Sequence, residues 1–200
     1  MNSHSYSQFL EYAQKINASL LVVGYKENTQ KHSELHSGML NLLQNSNLPV
    51  LIVKEFPKRK LKQDGSFYWL VCIKNSYGKS FKNFQKCLSF INNSKDIVRG
   101  VSIKSKNGNY DKDLEQKFNN YCIEKGVKRH SFKYLDNDKD ELVTIGRQLS
   151  NIINFGEDYF DFVTLGCSPN SHFYLENNPL VGVLRLAQAN ILFSNGKTFI

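Results

Sequence analysis

Few side chains in this sequence are grouped as chemistry would require. Cys72, Cys87, Cys122 and Cys167 are widely separated, form no Cys-x-x-Cys pair and sit in or beside apolar stretches. They read as buried free thiols of a reducing compartment, not as zinc ligands or a redox pair. His32 and His36 lie four apart with Glu34 between them. That spacing in a polar loop differs from the His-Glu-x-x-His helix that holds zinc, so solvated histidines are expected and no metal is assigned. Asp136, Asp138, Asp140 and Glu141 gather where a helix should begin. Carboxylates there complement the helix dipole, with a cation site as the alternative. No nucleophile, base and orienting acid fall into an arrangement that would activate one another, and no complete P-loop is present, so the chain is expected not to be an enzyme.

The 200 residues carry a net charge of +8, and 40% are hydrophobic, enough for a core. The dense basic run is KEFPKRKLK, with Lys54, Lys58, Arg59, Lys60 and Lys62. Clustered cations can displace counterions from nucleic-acid phosphates. This cluster falls between two structural units and the other basic residues are scattered, so a solvated linker is expected, with weak nucleic-acid binding as an alternative. No apolar run reaches the roughly 18 residues of a membrane span, and MNSHSYSQFLEY lacks the regions of a signal peptide. A soluble cytoplasmic protein without membrane contact is expected.

The elements that would position any site follow from periodicity. Phe9, Leu10, Ala13 and Ile16 make one helical stripe; LLVV at Leu20 to Val23 is a strand ending in Gly24. Leu35, Met39, Leu42 and Leu43 mark a second helix, and LPVLIV at Leu48 to Val53 a second strand. From Phe67 the pattern restarts. Trp69 to Ile73, Ile97 to Ile103, the alternating Phe132 and Tyr134, Phe162 to Leu165, and Ile191 to Phe193 are five strands. The alternation around Phe132 predicts a sheet edge. Between them run helices marked by Phe81, Phe84, Leu88 and Ile91; by Leu114, Phe118, Tyr121 and Cys122; and by Leu142, Ile145, Leu149 and Ile152. A last helix opens with Asn178 as N-cap and Pro179 at its first position.

Strands alternating with helices predict an α/β fold, an open five-stranded parallel sheet with helices on both faces, built from right-handed crossovers. The α-β-Gly-loop-α-β of residues 7 to 54 repeats in residues 139 to 194. The expected organisation is therefore a partial α-β-α-β unit at 1–56, a basic linker at 57–65 and a complete domain at 66–200. The first unit then matches the C-terminal half of a domain whose N-terminal half is absent.

On LLVVGYK at Leu20 to Lys26, LPVLIVK at Leu48 to Lys54 and YWLVCIKNSYGKSFKNFQKCL from Tyr68, the sequence resembles the universal stress protein family. The resemblance implies an adenine nucleotide alpha hydrolase-like, Rossmann-like sheet and, in nucleotide-binding members, a Gly-x-x-Gly turn after the fourth strand with Gly-Ser or Gly-Thr opening the next helix. Small residues there let backbone amides approach phosphates. Gly166 matches the first glycine, but Pro169 stands at the second, and Asn177 and Asn178 stand where Gly-Ser would be. Proline removes an amide donor. In the partial unit Gly24 matches, Glu27 replaces the second glycine, and His36-Ser37 or Gly38 takes the Gly-Ser place. Lys74 replaces an acidic residue common near the end of the first strand, and lysine accepts no hydrogen bond.

The leading expectation is a non-catalytic, stress-related module with degenerate nucleotide loops and no favoured cofactor. The resemblance implies that fifth strands pair, which would set Val50, Leu51, Ile52 and Val53 beside Ile191, Leu192 and Phe193 in tandem packing or self-association. The alternative is an ATP-binding sensor using Gly166, Ser168 and Asn178.

Overall fold

In the computed structural model, the described residues are 3–25, 37–55, 62–73, 81, 84–104, 111–136, 142–155, 159–167 and 179–195. They give α1 (Ser3–Lys15), β1 (Leu21–Tyr25), α2 (Ser37–Asn45), β2 (Val50–Lys54) and β3 (Tyr68–Cys72). A helix α3 is seen at 84–87 and tightens into a 3-10 turn at Leu88–Phe90. Then follow β4 (Ile97–Ile103), α4 (Leu114–Glu124), β5 (Arg129–Leu135), α5 (Leu142–Phe155), β6 (Phe162–Cys167), α6 (Pro179–Leu186) and β7 (Asn190–Asn195). The apolar runs LLVV, LPVLIV and WLVC have become strands; β3, β6 and β7 are covered on both faces, while β1 and β2 leave Val22 and Val53 exposed on one.

All seven strands join one sheet in the order β1-β2-β7-β6-β3-β4-β5. Strands β7, β6, β3, β4 and β5 are mutually parallel, which is the expected five-stranded sheet. Strands β1 and β2 are parallel to each other and antiparallel to the rest, joined through Val50 opposite Phe193, Leu51 opposite Leu192 and Ile52 opposite Ile191. β5 is the edge strand that its alternation predicts, and its side chains alternate between exposed and half-buried.

The two faces carry different covers. Ala13 of α1, Leu42 and Leu43 of α2, Leu149 and Ile153 of α5, and Val183 and Leu184 of α6 share one cluster with Val50, Ile52, Val163, Ile191 and Phe193. Phe84, Cys87 and Leu88 from the α3 region, with Leu114, Phe118 and Cys122 of α4, share the other with Trp69, Val71, Val98 and Leu192. Gly100 of β4 belongs to the second face. A Cβ there would meet Phe132 Cδ2 at 2.5 Å and Phe118 Cε2 at 2.8 Å, so the glycine lets the rings close over the strand. On the first face, a Cβ on Gly182 would stand 3.5 Å from Gly146 Cα, in ordinary van der Waals contact, so the two glycines mark where α5 and α6 meet.

Buried Asp96 organises the entry to the sheet. Its Oδ1 accepts the Phe67 amide at 2.9 Å; its Oδ2 accepts the Trp69 indole N–H and the Asn92 amide, each at 3.0 Å. Removing the carboxylate leaves the buried Trp69 indole N–H without a partner, at about 1–3 kcal/mol, and takes a charged acceptor from the part-buried Phe67 and Asn92 amides. Asp96→Ala is therefore expected to lose about 3–5 kcal/mol of stability, read as a lower urea midpoint with unchanged slope.

Cys87 and Cys122 are buried and Cys72 half-buried, all as free thiols. Burial pushes all three thiols from 9.0 up to about 12, with a hydrogen bond to Thr164 acting the other way on Cys87. An unfolded thiol thus ionises near pH 9.0 while the folded one keeps its proton. The fold holds this contribution in full below pH 9.0 and loses it as the pH rises from there towards about 12. In a Cys167→Ser background, the urea midpoint should fall over that interval and the thiols should resist a disulfide reagent at pH 8 until denaturant is added; prompt reaction in the native state would contradict the burial.

Candidate functional site

In an open α/β sheet, ligands bind beyond the carboxyl ends of the strands where the chain's winding direction switches. Here the switch lies between β3 and β6: from β3 the chain proceeds outward through β4 and β5, and from β6 it proceeds the other way to β7. Val71 pairs with Thr164, so Cys72, which ends β3, and Gly166, one residue before the end of β6, stand close together at the switch. Gly166 is half-buried, in register with buried Ser194 of β7. Pro179 opens α6, the first helical position expected of it. Lys74, Ser168, Pro169, Asn177 and Asn178 lie outside the described residues.

Gly24 occupies the corresponding place in the first unit, in register with Val53. Among the described residues a Cβ on it would meet nothing within 4 Å, so their packing does not require glycine there. Ser37 is the first residue of α2, and Gly38 is buried within it. Glu27, His32, Glu34 and His36 lie outside the described residues. Because β2 runs antiparallel to β7, the carboxyl ends of β1 and β6 face opposite ends of the sheet. Gly24, Ser37 and Gly38 therefore gather at one end and Gly166 at the other. The fold makes two separate loop ends from the candidate residues, not one composite site.

Other candidates resolve into structural roles. Lys54 reaches across the β2–β7 seam: its Nζ donates to the Ala187 carbonyl at 2.7 Å, just past the end of α6, where a cation is favourable, and its amide donates to Asn190 Oδ1 at 3.2 Å. Lys62 stands 2.8 Å above the Tyr68 ring centroid and 3.9 Å from Asp161 Oδ2. Two cations of the basic run are thus held by the protein itself, and Lys58, Arg59 and Lys60 lie outside the described residues. Of the acidic cluster, Asp136 pairs with Lys104 at 3.0 Å, while Asp138, Asp140 and Glu141 lie outside. Among the described residues, no three metal-ligating side chains gather, and no helix is long and apolar enough to cross a membrane.

Sequence patterns alone missed Asp161, whose Oδ2 accepts the Tyr68 amide at 2.8 Å and whose carbonyl accepts the Asn190 amide at 3.1 Å, tying β3 and β7 to the start of β6. Its position just ahead of an apolar strand was the available signal.

No family model and no curated protein matches the sequence. Solved structures do match. A universal stress protein from Archaeoglobus fulgidus DSM 4304 superposes with a TM-score of 0.67 at 11% identity over 95% of this chain, which spans 64% of that protein's length. A functionally unknown protein from Pseudomonas aeruginosa PAO1 superposes with a TM-score of 0.57 at 13% identity, over 95% of this chain and 67% of the other. At such identities the likeness is one of architecture, and it is to the α/β fold of universal stress proteins that this chain is similar.

Proposed function

We propose that the protein is a non-catalytic, stress-related cytoplasmic module of the universal stress protein kind, which acts through the pairing of its fifth-strand elements and through partner binding, not through nucleotide turnover. In this reading residues 1–56 are the C-terminal half of a first domain, 57–65 a linker and 66–200 a complete second domain. The observation that carries it is the β2–β7 seam, in which the fifth-strand equivalents of the two units exchange backbone hydrogen bonds and bury Val50, Ile52, Ile191 and Phe193 in one core. Pro169, Glu27 and Lys74 support it by replacing the small or acidic residues that nucleotide loops of this kind use.

A second reading, an adenine-nucleotide sensor, is favoured by one feature: Gly166 lies one residue before the end of β6 at the switch point of the sheet, where a phosphate would lie.

Placing Lys at both Leu51 and Leu192 sets two cations opposite each other in the seam. At a cost of about 3 kcal/mol, and about 2–4 °C per kcal/mol for a chain of this size, the double variant is expected to lower Tm by about 6–12 °C and to alter the association state. An unchanged Tm with unchanged association would remove the pairing reading. Titration calorimetry with magnesium-ATP, at protein concentrations able to detect a Kd of about 100 μM, is expected to give no saturable heat. Saturable binding that Gly166→Leu abolishes would establish the sensor in its place.

A further inference from the structure

Strands β2 and β7 are related by a local twofold axis through the Leu51–Leu192 pair. The relation extends outward. Leu42, Leu43 and Ser46 correspond to Val183, Leu184 and Ala187, all buried; Gly24 beside Val53 corresponds to Gly166 beside Ser194. α1 packs on α2 as α5 packs on α6, both pairs on the same face of the sheet. The opposite face breaks the symmetry. Thr164 and Ser194 are each 4% exposed, under the α3 and α4 layer, whereas their counterparts Val22 and Val53 are 55% and 41% exposed. Leu192 is buried, and its counterpart Leu51 only half so. The outer edges differ likewise: β6 pairs with β3, while β1 ends the sheet.

This face is more apolar than the face it mirrors, since valines stand where the covered half has threonine and serine. An exposed apolar sheet face beside a free strand edge is a template for an added β unit. The mirror face is covered by the described elements of residues 66–136, which follow as β3, α3, β4, α4 and β5, with β3 parallel to β6 and Phe84, Cys87, Leu88, Leu114, Phe118 and Cys122 in the covering cluster.

We propose that the outer edge of β1, with Val22, Leu51 and Val53, is a docking site for a polypeptide unit of that same β-α-β-α-β build, its first strand parallel to β1 and its first helix over the two valines. This rests on the equivalence of residues 7–54 and 139–194 set out above. It fits the folds the chain resembles, one of which is matched over only 64% of its length. The side chains that the unit would meet are close to those it already meets: valine is the isostere of threonine at position 22, and leucine is retained at 51.

The test appends a copy of residues 62–136, through a flexible linker, ahead of the full chain, and a parallel arrangement supplies the same unit as a separate polypeptide co-expressed with it. Amide hydrogen exchange at Leu21 to Gly24 is expected to slow by about tenfold or more when the unit is present, and the double substitution V22K/V53K should abolish the slowing. In the 200-residue chain alone, V22K/V53K should leave Tm unchanged. Unchanged exchange in both arrangements overturns the inference, as does an added unit that stays unfolded beside an intact chain. A 200-residue chain that is already a dimer and is split by V22K/V53K overturns it too, assigning the face to a second copy. Protection at Val50 to Ile52 and Ile191 to Phe193 is followed in the same samples. If it persists while β1 does not respond, only the docking inference fails; if it is absent from the unmodified chain, the pairing reading fails with it.

Discussion

The antiparallel contact between β2 and β7 is the constraint on which the arrangement depends. Three facing residue pairs join a β1–β2 ribbon to a five-stranded parallel sheet, and a two-stranded ribbon alone would be marginal in water. The seam works because both of its faces are apolar. Val50 and Ile52 meet Phe193 and Ile191 on one side, and Leu51 meets Leu192 on the other. Lys54 adds a directional tie at one end of it, with its ammonium on the carbonyl of Ala187. Through this contact the cover of α1 and α2 becomes continuous with that of α5 and α6, and residues 3–55 gain a core that they could not enclose alone.

The same constraint fixes where chemistry could occur. Antiparallel joining sends the carboxyl ends of β1 and β6 to opposite ends of the sheet, so the two strands, each with a glycine one residue before its end, address two different environments. One lies at a switch point bounded by β3; the other lies at the sheet's outer rim. Strand direction alone thereby sets Gly24 and Gly166 at opposite ends of the sheet.

Much of the architecture was legible in the sequence because short apolar runs mark strands, whether covered on both faces like β3 or on one like β1. LLVV, LPVLIV and WLVC each became strands, and the alternation around Phe132 became the sheet edge. The last helix begins at Pro179, where proline's missing N–H costs nothing. Non-local relations left weaker traces. Asp96 is one carboxylate ahead of a strand, and nothing in its neighbours announces that it will bind donors from Phe67, Trp69 and Asn92. The seating of Gly182 against Gly146, and of Gly100 beneath two rings, depends on which helices and strands meet in three dimensions. For the site, sequence ended two strands at Gly24 and Gly166, whereas β1 runs one residue further to Tyr25 and β6 to Cys167, and the loops that follow, with Glu27 and Pro169, lie outside the described residues.

Trp69 gives the fold an internal optical gauge. It is the chain's one tryptophan, stacked on Phe162 of β6 with centroids 4.4 Å apart, and its indole N–H is fixed on the Asp96 carboxylate. Its emission therefore arises from a single dry, charged setting at the β3–β6 junction. Fluorescence excited where tryptophan alone absorbs reports on that junction and not on β1, whose aromatic residue is Tyr25, so melting of the main sheet can be followed apart from events at β1 and β2.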